Sequence, residues 1–468
     1  MALDPTHNQS LVELDRQAFL HPYTALGDHH RDGVRVVAEG EGCWIRDLDG
    51  ARYLDATAGL WCVNVGHGRA EIADAIQAQA KKLAFYHSFS SMGNEPSIRL
   101  ADRILRHAGL GMSKVFFGSS GSDANDTNVK LVWYYNGLRG KPDKVKIISR
   151  ERGYHGVTVA SGSLTGIPLI HKGFNLPIRE VKHTTCPDLY RGKPASMSEL
   201  AYSKKLAGDL DELIRREGPE TVGAFIAEPV MGTGGVLVPP EGYFEAIQEV
   251  LDRHDVLMIA DEVICGFGRL GTWFGSHRYH VRPDLMTCAK GLTSAYLPMS
   301  ASLVHERIWR VLLDHAPEMG VFGHGFTYSA HPVCAAAAMA NLDIIEREGL
   351  VERAATIGAL FQARMRDAFS EHPLVGDVRG EGLILGVELV ADKADRMPFP
   401  LDRRVPARMM KLCLEEGLIL RGLPGGNTLA FSPPLIIREA EVDQIVARFG
   451  RALAKAEAAF RADGTWSA

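Results

Sequence analysis

The sequence is poor in the features that would set it apart from ordinary globular enzymes. Its seven cysteines (Cys43, Cys62, Cys186, Cys265, Cys288, Cys334, Cys413) are odd in number, widely scattered, and form no Cys-x-x-Cys pair. That argues against a disulfide framework and a zinc ribbon, and it fits the reduced thiols of a cytoplasmic protein. No metal-ligand pattern is read, so the expected metal set is none. No uninterrupted apolar run reaches the roughly 20 residues of a membrane span, and residues 1–10 lack the apolar core of a secretory signal. Neither charge sign dominates: 52 Lys and Arg face 57 Asp and Glu, a net charge of -5. No broad basic field exists for nucleic acid or an anionic membrane. Internal repeats and low-complexity tracts are missing too. What is present is a chain of 468 residues, 46% hydrophobic and 23% charged, long enough for a large and a smaller domain.

A polar lead-in and a short helix over 11–19 are broken at His21-Pro22-Tyr23-Thr24, because the residue before a proline avoids the helical region. Residues 34–54 read as an antiparallel meander with strands at 34–37, 43–46 and 53–54 and a hairpin turn at Asp49-Gly50. In the glycine-rich stretch Gly59 to Gly68, Trp61 reads either as a ring offered to a ligand or as a buried structural one. Strand-like runs at 115–117, 145–149, 222–227, 256–260, 285–288 and 302–304 then alternate with helical ones such as 125–135 and 244–253. That alternation predicts an α/β protein with a mostly parallel sheet between helices. Beyond Pro332 the mixture changes to helices at 335–348, 350–369, 407–416 and 439–459 around a strand at 383–389. The expected organisation is a large domain over 66–335 and a smaller α+β domain over 336–468, which the segment 1–65 joins.

Within the middle region Val256-Leu257-Met258-Ile259-Ala260 reads as a strand buried on both faces, and Asp261 follows at its carboxyl end. In open α/β sheets ligands bind beyond those ends. A second run, Leu285 to Cys288, leads to Lys290-Gly291, so one carboxylate and one amine would leave the same sheet edge. Pyridoxal phosphate needs such a pair: a lysine for its Schiff base and an anion for its ring nitrogen. Taken alone, Asp261 reads more readily as a turn cap and Lys290 as a solvated surface residue. Gly118-Ser119-Ser120-Gly121-Ser122-Asp123 lies between a strand and a helix, where free N–H groups and hydroxyls suit a phosphate. It is neither a Walker A loop nor a dinucleotide fingerprint. Tyr154 could cover a flat cofactor, Glu228 ends another strand, and the 324–329 loop offers hydroxyls.

In order along the chain, Ser120-Gly121-Ser122-Asp123-Ala124-Asn125-Asp126, Tyr154-His155-Gly156, Ala227-Glu228-Pro229, Asp261-Glu262-Val263, Ala289-Lys290-Gly291 and Phe326-Thr327-Tyr328 resemble the class III aminotransferases of pyridoxal-phosphate fold-type I. Asp261 to Arg269 followed by Ala-Lys-Gly is the most specific part, and the likeness spans nearly the whole chain. The subgroup resembled most is the ω-amino acid:pyruvate (ω-transaminase) branch. The resemblance implies a fold-type I architecture with a seven-stranded large-domain sheet, and pyridoxal 5′-phosphate as cofactor. It implies that Lys290 forms the internal aldimine and that Asp261 pairs with the ring nitrogen. Ser120, Gly121, Ser122, Tyr154, His155, Glu228, Val263 and Thr327 would complete the cofactor site, with Thr327 reaching the partner subunit's phosphate in a homodimer. Tyr23, Leu60, Trp61, Phe89, Tyr154, Thr233 and Arg421 would line the substrate pocket, Phe89 in the neighbouring subunit's.

Two departures bear on the acceptor. Relatives using 2-oxoglutarate carry a glutamate where Thr233 stands and an arginine where Ala430 precedes Phe431-Ser432-Pro433-Pro434. Arg421 is then the remaining clamp for a carboxylate, as in the pyruvate-using branch, although the loop from Gly422 to Thr428 is about two residues longer than is usual there. The expected reaction is a ping-pong transamination between a small amine donor and a 2-oxo acid, with pyruvate as acceptor. The alternatives are 2-oxoglutarate as acceptor, an aminomutase or decarboxylating transaminase, and a non-catalytic pyridoxal-phosphate-binding module. The donor, and the pairing of dimers into tetramers, stay open.

Overall fold

The computed structural model describes residues 5–466. Residues 1–4 and 467–468, where the lead-in begins and the C-terminal segment ends, lie outside the described residues. A seven-stranded sheet forms the middle of the molecule, in the order Met112–Gly118, Ser300–His305, Leu285–Cys288, Leu257–Asp261, Val222–Ala227, Lys146–Arg150, Val181–Thr184. Ser300–His305 runs antiparallel to both its neighbours, and the other neighbouring pairs are parallel. The central strands are covered on both faces, so Leu257–Asp261 and Val222–Ala227 are buried at every position. That is why they read as unbroken apolar runs and not as alternating ones.

The remaining strands form two four-stranded sheets. Val37–Glu41, Trp44–Asp47 and Arg52–Asp55 make the amino-terminal meander, and Leu418–Ile419 adds to it in parallel. Thus segments more than 350 residues apart share one sheet. Val375–Glu381, Ile384–Leu389, Thr428–Phe431 and Arg421–Gly422 make the other. Helices Leu350–Phe369 and Glu439–Ala462 pack on it, where Phe361, Phe369, Phe431 and Phe449 meet edge to face.

Several expectations need correction. The first meander strand is Val37–Glu41 and not 34–37: the tight turn at Gly42-Cys43 pairs Glu41 with Trp44 and sets the register backwards from there. The first helix runs over Pro5–Ala18 and so begins before residue 11. Helix Glu199–Glu217, capped by Ser198, went unread although Tyr202, Leu206, Leu210, Leu213 and Ile214 carry its buried stripe. Edge strand Val181–Thr184 was also missed, since it is four residues long and only half buried. Among the described residues no helix is long and apolar enough to cross a membrane.

Candidate active site

Because the five strands from Leu285–Cys288 to Val181–Thr184 run parallel, their carboxyl ends gather at one edge, and the expected residues converge there. Asp261, the last residue of its strand, is 3% exposed. Its Oδ2 accepts from Asn125 Nδ2 at 2.9 Å and faces His155 Nδ1 at 2.8 Å, while Val263 N donates to Oδ1 at 3.1 Å. The imidazole nitrogen against that carboxylate therefore carries the proton. Asn125 is itself fixed: Nδ2 also donates to His155 O at 2.7 Å, and Oδ1 accepts from Thr287 Oγ1 at 2.6 Å. Asn128 Nδ2 in turn donates to Thr287 Oγ1 at 2.7 Å. With three partners on its two oxygens, Asp261 is left a single orientation.

Glu228 caps the neighbouring strand and holds the loop that carries Tyr154. Its Oε1 accepts from Tyr154 N at 3.0 Å and its Oε2 from Arg150 Nη2 at 3.0 Å. Arg150 is fully buried and also donates to Glu228 O at 2.6 Å. His155 Nε2 lies 3.7 Å from Glu228 Oε2 and makes no hydrogen bond.

Gly121, Ser122, Tyr154, Val263 and Lys290 line one cavity with Asp261. A Cβ at Gly121 would stand 3.0 Å from Val263 Cγ2, and one at Gly156 would stand 2.3 Å from Ser161 Oγ and 2.5 Å from Ser122 Oγ. Both glycines therefore keep the floor open. Helix Gly121–Leu138 begins there, and its first N–H groups have no intrahelical acceptor, which favours an anion. Lys290 adopts a left-handed φ of 44° on the opposite side. Burial holds its pKa below the ordinary lysine value, against the pull of Asp261 and with help from the Arg421 charge. A carboxylate, a flat slot, a neutral-leaning amine and an anion seat match the functional groups of pyridoxal phosphate.

The class-III aminotransferase family model matches residues 26–453. The chain belongs to the class-III aminotransferases. A diaminobutyrate–2-oxoglutarate transaminase of Halomonas elongata is 50% identical over 463 residues, 98% of this chain and 99% of the relative. An omega-transaminase from Pseudomonas jessenii in complex with PMP superposes with a TM-score of 0.93 at 47% identity, over 95% of this chain and 98% of that one. A structure from the directed evolution of transaminases by ancestral reconstruction gives a TM-score of 0.95 at 55% identity, covering 96% and 99% of the two chains. This class-III aminotransferase is accordingly a pyridoxal-phosphate enzyme of fold-type I.

Other sequence-singled residues take varied positions in the aminotransferase. Ser120 faces solvent and its hydroxyl accepts from Asp123 N at 3.2 Å as the helix cap, outside the cavity lining. Tyr23 reaches Tyr154, hydroxyl to hydroxyl, at 3.1 Å. Burial and that hydrogen bond raise its pKa. Arg421 lies half-buried near both tyrosines and, among the described residues, makes no ion pair. Burial lowers its pKa. Thr233 is buried in the turn between Met231 and Leu237. Leu60 is 54% exposed. Of the two readings of Trp61 the structure takes the buried one: it is 3% exposed and lies against Gly232, where a Cβ would stand 2.3 Å from its ring. Phe89 and Thr327 are exposed and stand apart from the cavity of their own chain.

Sequence reasoning missed Asn125, Thr287, Arg150 and Asp55. The buried Asp55 carboxylate accepts from Gly59 N at 2.7 Å and Thr57 N at 3.1 Å and contacts His67 Nε2 at 3.0 Å, which pins the 57–67 loop. Asn125 stood inside the quoted motif, but no local pattern distinguishes a buried amide from a helix-surface one.

Proposed function

We propose that the enzyme transaminates an ω-amino acid or primary amine with pyruvate as acceptor, in a ping-pong cycle. The observation that carries this is Arg421, a half-buried guanidinium beside Tyr23 and Tyr154 with no acidic partner among the described residues. Such a group suits a substrate carboxylate. Ala430 is its register partner across the strand pair and is fully buried, so no second arginine stands beside it, as a five-carbon diacid would favour.

Bound pyridoxal phosphate supplies the electron sink and carries the amino group between the half-reactions. Asp261, held by Asn125 and His155, would keep a proton on the cofactor's ring nitrogen. Gly121 and Ser122 would hold the phosphate at the helix start, and Thr327 of a second copy would add a hydroxyl. Tyr154 and Val263 would flank the ring. His155 and Glu228 fix Asp261 and the Tyr154 loop. Lys290 would take the proton from the donor's amine-bearing carbon onto Nζ and pass it forward to the cofactor, not back to the same carbon, a task suited to an amine with a depressed pKa. Tyr23, Leu60, Trp61 and Thr233, with Phe89 of a second copy, bound the donor pocket. Ser120 acts through the helix cap.

A homodimer completes the site in this reading. Phe85 and Tyr328 pack at 5.7 Å, and Phe89, Met92 and Phe322 are exposed, an apolar surface of the kind subunits cover. A large domain over 66–335, a smaller one from 1–65 and 336–468, and a cytoplasmic location belong to the same proposal. The 2-oxoglutarate reading is favoured by the name of the Halomonas relative. A donor panel (β-alanine, diamines, aryl-alkyl amines) run with each acceptor separates the two. Alanine formation with the higher kcat/KM is expected, and a larger value for glutamate formation transfers the assignment to 2-oxoglutarate. Lys290→Ala should fold yet lose turnover by at least about 10³-fold; retained turnover refutes the whole mechanism.

A further inference from the structure

Away from the cofactor cavity, side chains from three segments converge. Asp15 lies on helix Pro5–Ala18, His21 in the turn that follows, and His29 on helix Leu26–Asp32. His21 Nε2 stands 2.6 Å from Asp15 Oδ1, and His29 Nε2 2.9 Å from Asp15 Oδ2. The ligand atoms all lie within 4.8 Å of one another. The His29 approach is not a hydrogen bond, since Asp15 Oδ2 and His29 Nε2 are both buried without a partner. Two buried polar atoms in contact and unsatisfied are unfavourable, and a cation between them satisfies both.

Two imidazole nitrogens and a carboxylate oxygen are a donor set that holds zinc with water at the fourth position. In a tetrahedral zinc site the ligand atoms stand about 3.3 Å apart, so the two contacts between Asp15 and the imidazoles need to open by less than about 1 Å. Phe19 packs 4.2 Å from the His21 ring and the two imidazoles are 4.4 Å apart, an apolar wall on one side. The side chains remain 11–20% exposed, which leaves an approach for the ion. Two residues beyond His21, Tyr23 reaches Tyr154 at the cofactor cavity. We infer that Asp15, His21 and His29 form a divalent transition-metal site of the zinc class, which staples the two amino-terminal helices and holds Tyr23 against Tyr154. The spacing, five residues between the first two ligands and seven between the next, matches no helical ligand pattern and so carries no local signature.

The test uses the full chain, free of any affinity tag and loaded with pyridoxal phosphate. Equilibrium dialysis against zinc chloride followed by metal analysis should find one zinc per chain, with at least tenfold weaker uptake in His29→Gln and in Asp15→Asn. Cobalt(II) added to the wild type should give the intense visible absorption of a four-coordinate nitrogen and oxygen site, a readout independent of whether the variants fold. Absence of stoichiometric zinc, a six-coordinate cobalt spectrum, or equal zinc uptake by folded variants each overturns the site.

Discussion

At Lys290 both backbone and side chain are held away from their usual preferences. A left-handed φ of 44° costs a non-glycine residue of order 1 kcal/mol or more, and burial works against the ammonium form. The direction of that shift sets the pH dependence: the neutral amine persists to lower pH than in a free lysine. The rising limb of kcat with a carboxylate-free amine should therefore lie below pH 10, and Arg421→Met, which removes a neighbouring cation, should move it to higher pH. An unmoved limb removes Arg421 from the electrostatics of the site. The same substitution should raise KM for carboxylated donors tenfold or more, because a charge-assisted pair contributes over 1 kcal/mol.

Glu262, next to Asp261, illustrates a different use of burial. It accepts from Gly275 N at 2.8 Å, Ser276 N at 2.6 Å and Ser276 Oγ at 2.6 Å. Burial outweighs these bonds and raises its pKa from 4.5 to about 7. The folded state thus binds the proton more tightly than the unfolded chain. The stability this gives is complete below pH 4.5 and is lost as pH rises through about 7. In Glu262→Gln that dependence should vanish. The difference in Tm between wild type and variant should shift against the wild type from pH 5 to pH 8, and a difference constant with pH sinks the assignment.

At the scale of elements, helix Gly121–Leu138 carries much of the site. Its first turn is fixed by a reciprocal capping box, in which the Ser120 hydroxyl accepts from Asp123 N and the Asp123 carboxylate accepts from Ser120 N. The second turn carries Asn125 to Asp261. The cap at Ser120 and the proposed phosphate seat at Gly121 and Ser122 are neighbours in the chain, yet they separate experimentally. Ser120→Ala should cost about 1 kcal/mol of stability while leaving cofactor affinity within about twofold. Ser122→Ala should do the reverse, weakening pyridoxal phosphate retention in dialysis. If both variants lose cofactor equally, the cap is not distinct from the seat. The hairpin after Arg421 is another such element. Leu423 N donates to Thr428 O at 2.9 Å and Asn427 Nδ2 to Phe399 O at 2.9 Å, so the longer loop is tied at its base and Arg421 stays on a paired strand.

For the molecule as a whole, the exposed aromatic surface around Phe89 and the exposed Thr327 carry the strongest expectation. If the active site is assembled between two copies, Phe89→Asp should shift sedimentation toward monomer and lower activity together, with activity regained at higher protein concentration. A monomeric wild type of full activity would remove the homodimer from the reading.

Much of this site was legible because its chemistry sits at strand tips. An apolar run ending in Asp261, another leading to Lys290 and a serine-glycine helix start are local patterns, and strand direction alone brings them to one edge. Those patterns place a carboxylate, an amine and a candidate anion seat, and the family resemblance adds the cofactor. Partners distant along the chain do not. His155 and Asn125 reach Asp261 across 106 and 136 residues, and Tyr23 meets Tyr154 across 131. Arg421 faces Ala430 only because their strands pair, and Trp61 is buried only because Gly232 leaves room for its ring. Such contacts depend on strand order and on which glycine admits which ring, quantities with no local signature, so only the tertiary structure decided them.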